Sequence, residues 1–140
     1  MAERIDSFSG QYAFLSNFFV EKNGRSNEHY FQAAKATNLD DCVYVLEAAT
    51  PSEAKRRGRR IPLRTGWDQG RRRVMDKLLR RKFTDPALRR ALLETGDRLL
   101  VEGNTWCDTF WGVCNCPRHS GRGENQLGQA LMVLRTLETR

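Results

Sequence analysis

Apolar residues recur at helical spacing through most of this chain, and the elements they predict are mostly helices. The clearest stripe is Val74, Met75, Leu78, Leu79 and Phe83, in a long helix entered through the turn Arg64–Asp68. Arg71, Arg72, Arg73, Arg80, Arg81 and Lys82 supply its wet face, and Trp67 sits at its mouth rather than in the stripe. Thr84-Asp85-Pro86 ends that helix and opens another, with Asp85 as cap and Pro86 first; Leu88, Ala91, Leu92 and Leu93 pack. Leu99-Leu100-Val101 reads as a short buried strand. A final helix buries Leu127, Leu131, Leu134 and Leu137, and Gly128 within it implies a close backbone approach. Upstream, Thr50 caps, Pro51 suits the first helical position and Glu53 completes a capping box, in a short helix that Gly58 stops. Cys42–Ala49 forms another helix, and two short strands about a turn at Asn23-Gly24 fill much of residues 4–25. The fold expected is mainly α, an α+β chain with a few short strands, forming one compact domain over residues 1–140.

One predicted helix departs from the apolar pattern. It starts at Glu28, capped by Ser26 or Asn27, and ends before Asn38. Helical spacing puts Glu28, Phe31, Gln32 and Lys35 on one face. A carboxylate, a ring, an amide and an amine in one line either face solvent or line a site. Asn17, among aromatic neighbours such as Phe18, reads equally as a turn residue or as a ligand amide.

Charge narrows the partners. The net charge of +7 favours phosphates, nucleotides or nucleic acid. Lys55-Arg56-Arg57-Gly58-Arg59-Arg60 is a cationic run in which one or two residues face a ligand and the rest are solvated. Trp106–Gly112 places two indoles, a phenyl ring and Asp108 in a loop after a strand. The glycine-rich segment Gly121–Gly128 runs into the last helix, whose free N–H groups suit a phosphate. No apolar run approaches the ~20 residues of a membrane span, and the N-terminus lacks the build of a signal peptide, so a cytoplasmic location is expected. Cys107, Cys114, Cys116 and His119 match no common structural zinc spacing, and neither a metal nor another cofactor is expected.

Several islands, taken in order, carry a resemblance. They are Phe14-Leu15-Ser16-Asn17-Phe18, Glu28-His29-Tyr30-Phe31-Gln32-Ala33-x-Lys35, Pro51-x-x-Ala54-Lys55-x-x-Gly58-Arg59, Trp67, Val74-Met75, Lys82-Phe83, Trp111-Gly112 and Gly123-x-Asn125-x-Leu127-Gly128-x-x-Leu131-Met132. Together, from about residue 8 to residue 135, they resemble the NADAR (YbiA-like) family. The segment from Cys107 through Val113–His119 departs from the family's more glycine-rich text.

The resemblance implies an N-glycosidase that cleaves a bond between a base nitrogen and ribose C1. The leading substrate is ADP-ribosylated guanine in nucleic acid or nucleotide. The alternative is a phosphoribosyl-aminopyrimidine intermediate of riboflavin synthesis, and a non-catalytic binder of ADP-ribose or nucleotide is the reading from another class. Implied catalytic positions are Glu28, Trp67 and Asp108, with Lys35 a candidate for covalent chemistry. Substrate contacts are expected from Asn17, Phe18, His29, Lys55, Arg56, Gly58 and Arg59. Trp111, Gly112, Gly123, Asn125 and Gly128 complete that expectation. The protein is expected to be a monomer without membrane partners.

Overall fold

The computed structural model describes residues 3–140. Its described residues form six α-helices, one 3-10 helix and four two-residue strands, the mainly helical fold that the sequence predicts. By internal packing the chain divides into two compact units, one of Asn17–Leu78 and one of the segments up to Ser16 and from Leu79 onward.

The Asn17–Leu78 unit holds helices α1 (Asn27–Ala33), α2 (Leu39–Leu46), α3 (Pro51–Gly58) and the first part of α4 (Trp67–Lys82). Ala33, Val45, Ala48, Ala54 and Ile61 form its core, with Ala36, Cys42, Tyr44 and Leu46 packed against them. Small residues at 33, 48 and 54 let α1 lie close to its neighbours α2 and α3. α1 is shorter than its sequence suggests: tight i→i+3 bonds from Lys35 N to Gln32 O and from Ala36 N to Ala33 O end it. α2 starts earlier than Cys42, because the Asn38 side chain accepts from Asp41 N (2.8 Å) and caps it at Leu39. α3 is capped by Thr50, whose hydroxyl accepts from Glu53 N (3.1 Å), while the Glu53 carboxylate turns to Arg56 and Arg57.

Gly58 has a different role from the stop signal it resembles. It is the last helical residue and is buried, and a Cβ there would collide with the Gln32 side chain. Trp67, expected at a helix mouth, is buried and packs on Phe31 with ring centroids 5.1 Å apart.

In the other unit, β1 (Arg4–Ile5) pairs in parallel with β2 (Leu99–Leu100), and β3 (Gly103–Asn104) with β4 (Val113–Cys114). Where two early strands were expected, residues Gly10–Leu15 form a 3-10 helix. Only the turn at Asn23-Gly24 survives from that reading, closed by the Val20–Ser26 bridge in the Asn17–Leu78 unit. Helix α5 (Pro86–Glu94) is capped by the Asp85 carboxylate, as its sequence dictates. Helix α6 (Gln126–Glu138) packs against β2 and α5 through Leu127, Leu131 and Leu134. Each such leucine contributes roughly 1.5–3 kcal/mol by burial. Leu137, expected in that stripe, is half exposed. Lys82 moves the other way: read as wet face, it is fully buried, and its ammonium donates to Ser16 O (2.9 Å). A buried ammonium is tolerated only with such acceptors.

Candidate active site

In the Asn17–Leu78 unit the predicted polar face of α1 is present and buried. Ser26 caps the helix, its hydroxyl accepting from His29 N. The His29 ring returns the bond, its Nδ1 accepting from Ser26 N (3.1 Å), so the other nitrogen carries the proton and donates to Ala48 O (2.9 Å). His29, expected among the substrate contacts, is fully buried, with one ring nitrogen in the cap of α1 and the other tying α1 to the chain after α2.

Glu28 is buried beside it, and its carboxylate accepts from the Gln32 amide (2.8 Å). The other end of that amide, Gln32 Oε1, is buried without a hydrogen-bond partner among the described residues and rests over Gly58. Asn17 joins this group: its backbone carbonyl accepts from Glu28 N (2.9 Å), and its buried Oδ1 also lacks a partner. Asn17 Oδ1 thus closes no turn of its own. Buried acceptors left unsatisfied cost about 1–3 kcal/mol each, and such atoms mark places where water or a ligand belongs.

Lys35, in the turn just past the end of α1, is half-buried. Burial is the main reason its pKa lies below the ordinary lysine value. Glu28 opposes the shift, and Arg59, Lys55 and Arg71 add to it. The lowered amine and the buried carboxylate are thus electrostatically coupled. Cations of this unit lie over aromatic rings: Lys35 Nζ is 5.9 Å from the Phe31 ring centre, Arg64 is 5.5 Å from that of Trp67, and Lys55 Nζ is 5.9 Å from that of Phe18.

The cationic run splits in two. Arg57 stacks on Tyr44 and donates to Tyr44 O, Arg60 reaches the Tyr44 hydroxyl, and exposed Arg56 pairs with Glu53 (2.6 Å). Arg56 is thereby engaged in an ion pair on its own helix rather than kept open for a ligand. Lys55 and Arg59 are the members whose charge acts on Lys35.

The remaining predicted residues lie in the other unit, around β3 and β4. Asp108 Oδ1 accepts from Phe110 N (3.1 Å) and Trp111 N (2.9 Å), and its backbone is pinned to the Asn104 side chain. Its Oδ2 has no hydrogen-bond partner among the described residues. Trp111 packs edge-on against Phe110, with centroids 4.7 Å apart. Most amides of the glycine-rich segment are taken up by its own chain. Glu124, Asn125, Gln126 and Leu127 donate their N–H groups to the carbonyls of Thr109, Gly112, Phe110 and Trp111. Asn125, in the left-handed conformation (φ 52°), bonds Glu102 N and Leu100 O through its side chain. A Cβ on Gly112 would strike Glu102, one on Gly123 the Gly112 carbonyl, and one on Gly128 the Leu100 carbonyl, the last being the close approach its position in a helix implies.

The model of the NADAR domain family matches residues 7–137. The chain belongs to the NADAR family. Among NADAR relatives, N-glycosidase YbiA of Escherichia coli (strain K12) is 38% identical over 138 residues, covering 92% of this chain and 83% of that protein. Riboflavin biosynthesis protein PYRR, chloroplastic, of Zea mays is 38% identical over 122 residues, 78% of this chain but 19% of that protein. The NMR structure of the E. coli protein YbiA matches with a TM-score of 0.79 at 34% identity, covering 99% of this chain and 87% of that one. No helix among the described residues of this NADAR chain is long and apolar enough to cross a membrane.

Proposed function

We propose that this protein is an N-glycosidase acting on a phosphorylated N-riboside, with ADP-ribosylated guanine as the leading substrate. The observation that carries the proposal is a charge-coupled pair: the buried Glu28 carboxylate in the first turn of α1 and the half-buried Lys35 amine just past the end of that helix, whose pKa is lowered. Cleavage of a ribosyl C–N bond builds positive charge at C1, and a carboxylate already held in place stabilises it. Lys35 supplies a nucleophile that is neutral at a lower pH than an ordinary lysine. Its Nζ adds at C1 of the ring-opened sugar, the C–N bond to the base breaks, and the base nitrogen leaves with a proton. Water then hydrolyses the lysine imine, returning the free amine and releasing the sugar as its aldehyde. Lys55 and Arg59 supply charge for the phosphates, Asn17 and Gln32 supply acceptors, and Phe18 supplies a ring for stacking. Trp67 enters as the packed wall behind Phe31. Asp108 enters through the family resemblance, as a second acid able to move a proton.

A second substrate is favoured by a particular relative. The maize protein is named for riboflavin biosynthesis, so ribosylaminopyrimidine phosphates are the alternative. Incubation with ADP-ribosyl-guanosine and, separately, with those phosphates distinguishes the two. Release of ADP-ribose from the first alone supports the leading substrate, and release of the pyrimidine alone supports the second. Ligand binding without turnover of either makes the protein a binder of ADP-ribose or nucleotides. Borohydride added during turnover is expected to trap a sugar adduct on Lys35; an active enzyme that yields none works by direct water attack.

A further inference from the structure

The segment that departs from the family text brings its sulfurs together. The ligand atoms of Cys107, Cys114, Cys116 and His119 all lie within 4.8 Å of one another. Cys107 Sγ is 3.9 Å from Cys116 Sγ, and Cys116 Sγ is 3.2 Å from His119 Nδ1. With zinc–sulfur bonds near 2.3 Å and zinc–nitrogen bonds near 2.0 Å, a tetrahedral site has edges of about 3.8 Å between sulfurs and about 3.5 Å between sulfur and nitrogen. The Cys107–Cys116 and Cys116–His119 separations lie close to those edges, and the remaining pairs lie within 4.8 Å. They are far longer than a disulfide bond, and all four cysteines of the chain are free thiols.

We propose that Cys107, Cys114, Cys116 and His119 bind one zinc ion. Three of the four ligands come from one closed turn. Cys114 N donates to Arg122 O, Gly121 N to Cys114 O, Ser120 N to Cys116 O and His119 N to Cys116 O, so backbone bonds fix Cys114, Cys116 and His119 before any metal arrives. Cys116 N also points at Cys114 Sγ (3.5 Å), an outer contact that orients this sulfur. The fourth ligand, Cys107, comes from the preceding loop and adopts φ 69°, a conformation unfavourable for a residue with a side chain. That conformation turns its sulfur toward Cys116, and a metal bond there offsets the local strain. Three thiolates, a neutral imidazole and Zn²⁺ leave one negative charge. Arg118 and Arg122 flank it, with the Arg122 guanidinium donating to His119 O (2.9 Å) and Arg118 O (2.8 Å). A soft donor set of this composition selects zinc over magnesium or calcium. Standard spacing rules miss the site because its cysteines lie one and six residues apart and are gathered by the β3–β4 pairing.

The site also bears on Asp108, the residue next to Cys107, because a metal bond would anchor the loop that presents it. The test uses the full chain, purified under reducing conditions. Zinc is measured by elemental analysis, and Co²⁺ is exchanged in as a spectroscopic probe. About one zinc per chain is expected, with a tetrahedral cobalt spectrum showing thiolate charge transfer. Cys107→Ser, at an exposed position, should lower zinc occupancy at least tenfold, and His119→Gln should do the same. Cys42→Ser, in α2 and outside the cluster, should leave it unchanged. Less than a tenth of an equivalent of zinc in the reduced wild-type chain overturns the proposal. So does an octahedral cobalt spectrum, or zinc binding that survives both ligand substitutions.

Discussion

The stretch from Glu28 in α1 to Lys35 just beyond it and the glycine-rich segment leading into α6 are both polar, and they use that polarity in opposite ways. On the α1 face, Gln32 Oε1 and Asn17 Oδ1 are buried and unbonded, and Lys35 is driven toward its neutral form. In the glycine-rich segment the amides of residues 124–127 all donate to loop carbonyls, and Asn125 uses both ends of its side chain to hold residues 100 and 102. A helix start that looks ready for phosphate in the sequence is closed by its own chain. A helix face that looks solvated is where unmet hydrogen-bonding capacity remains. Residue type indicates what a segment can bind; the bonds already made determine what capacity is left.

The largest effect should come from the open face. Glu28→Gln keeps the size of the side chain and removes its charge; kcat should fall on the order of 10²–10³ with the melting temperature nearly unchanged. Lys35→Arg should abolish the borohydride adduct, read as loss of the mass increase on the intact protein. A near-normal rate in Lys35→Arg would leave direct water attack as the route, and a near-normal rate in both variants would make these residues a binding surface without chemistry.

Next, Gly58→Ala drives a methyl group into the Gln32 side chain. Overpacking of this kind costs about 1–3 kcal/mol, and displacing Gln32 takes its amide from the Glu28 carboxylate, so kcat should fall roughly tenfold. Thermal melts and steady-state rates check both halves.

Asn125→Ala breaks the comparison if the glycine-rich segment does bind substrate. It removes two bonds to the backbone and should destabilise by about 2–3 kcal/mol. KM, measured well below the melting temperature, should stay the same. A KM that rises at least tenfold would show that the segment does more than close the fold.

The smallest effect concerns pH. Lys55 lowers the Lys35 pKa, so Lys55→Ala should raise it. Activity that depends on the neutral amine increases with pH as Lys35 loses its proton. Its rising limb should therefore move to higher pH in Lys55→Ala, as read from kcat against pH.

The helices were legible where sequence chemistry is local. Thr50-Pro51, Asp85-Pro86 and the Met75, Leu79, Phe83 stripe need only their neighbours to be read. The shared face of Glu28 and Gln32 followed from helical spacing, whereas Lys35 falls just past the helix end and its lowered pKa comes mainly from burial. What escaped was decided by partners and positions that residue type alone does not name. His29 occupies the third helical position, where a capping box ordinarily has Glu or Gln, so it looked available for a ligand; Ser26-x-x-His29 read as a cap would have found it. Lys82 continues a basic run and is buried because Ser16, far away in the chain, offers a carbonyl. Leu137 sits at helical spacing from Leu134 but lies too near the end of α6 to be covered. The tally of charges from Lys55 to Arg60 gave no hint that Glu53 and Tyr44 would take Arg56, Arg57 and Arg60.

The contact between Gly58 and Gln32 makes these two positions one heritable unit. A larger residue at 58 is tolerated only in a descendant whose residue 32 has already shortened, and a shortened residue 32 leaves Glu28 without its amide. Either order of change passes through an impaired ancestor. Lineages that keep the carboxylate chemistry should therefore keep glycine at the end of α3, a helix that contributes no reacting atom, and lineages that lose the glycine should be those that have given up the reaction.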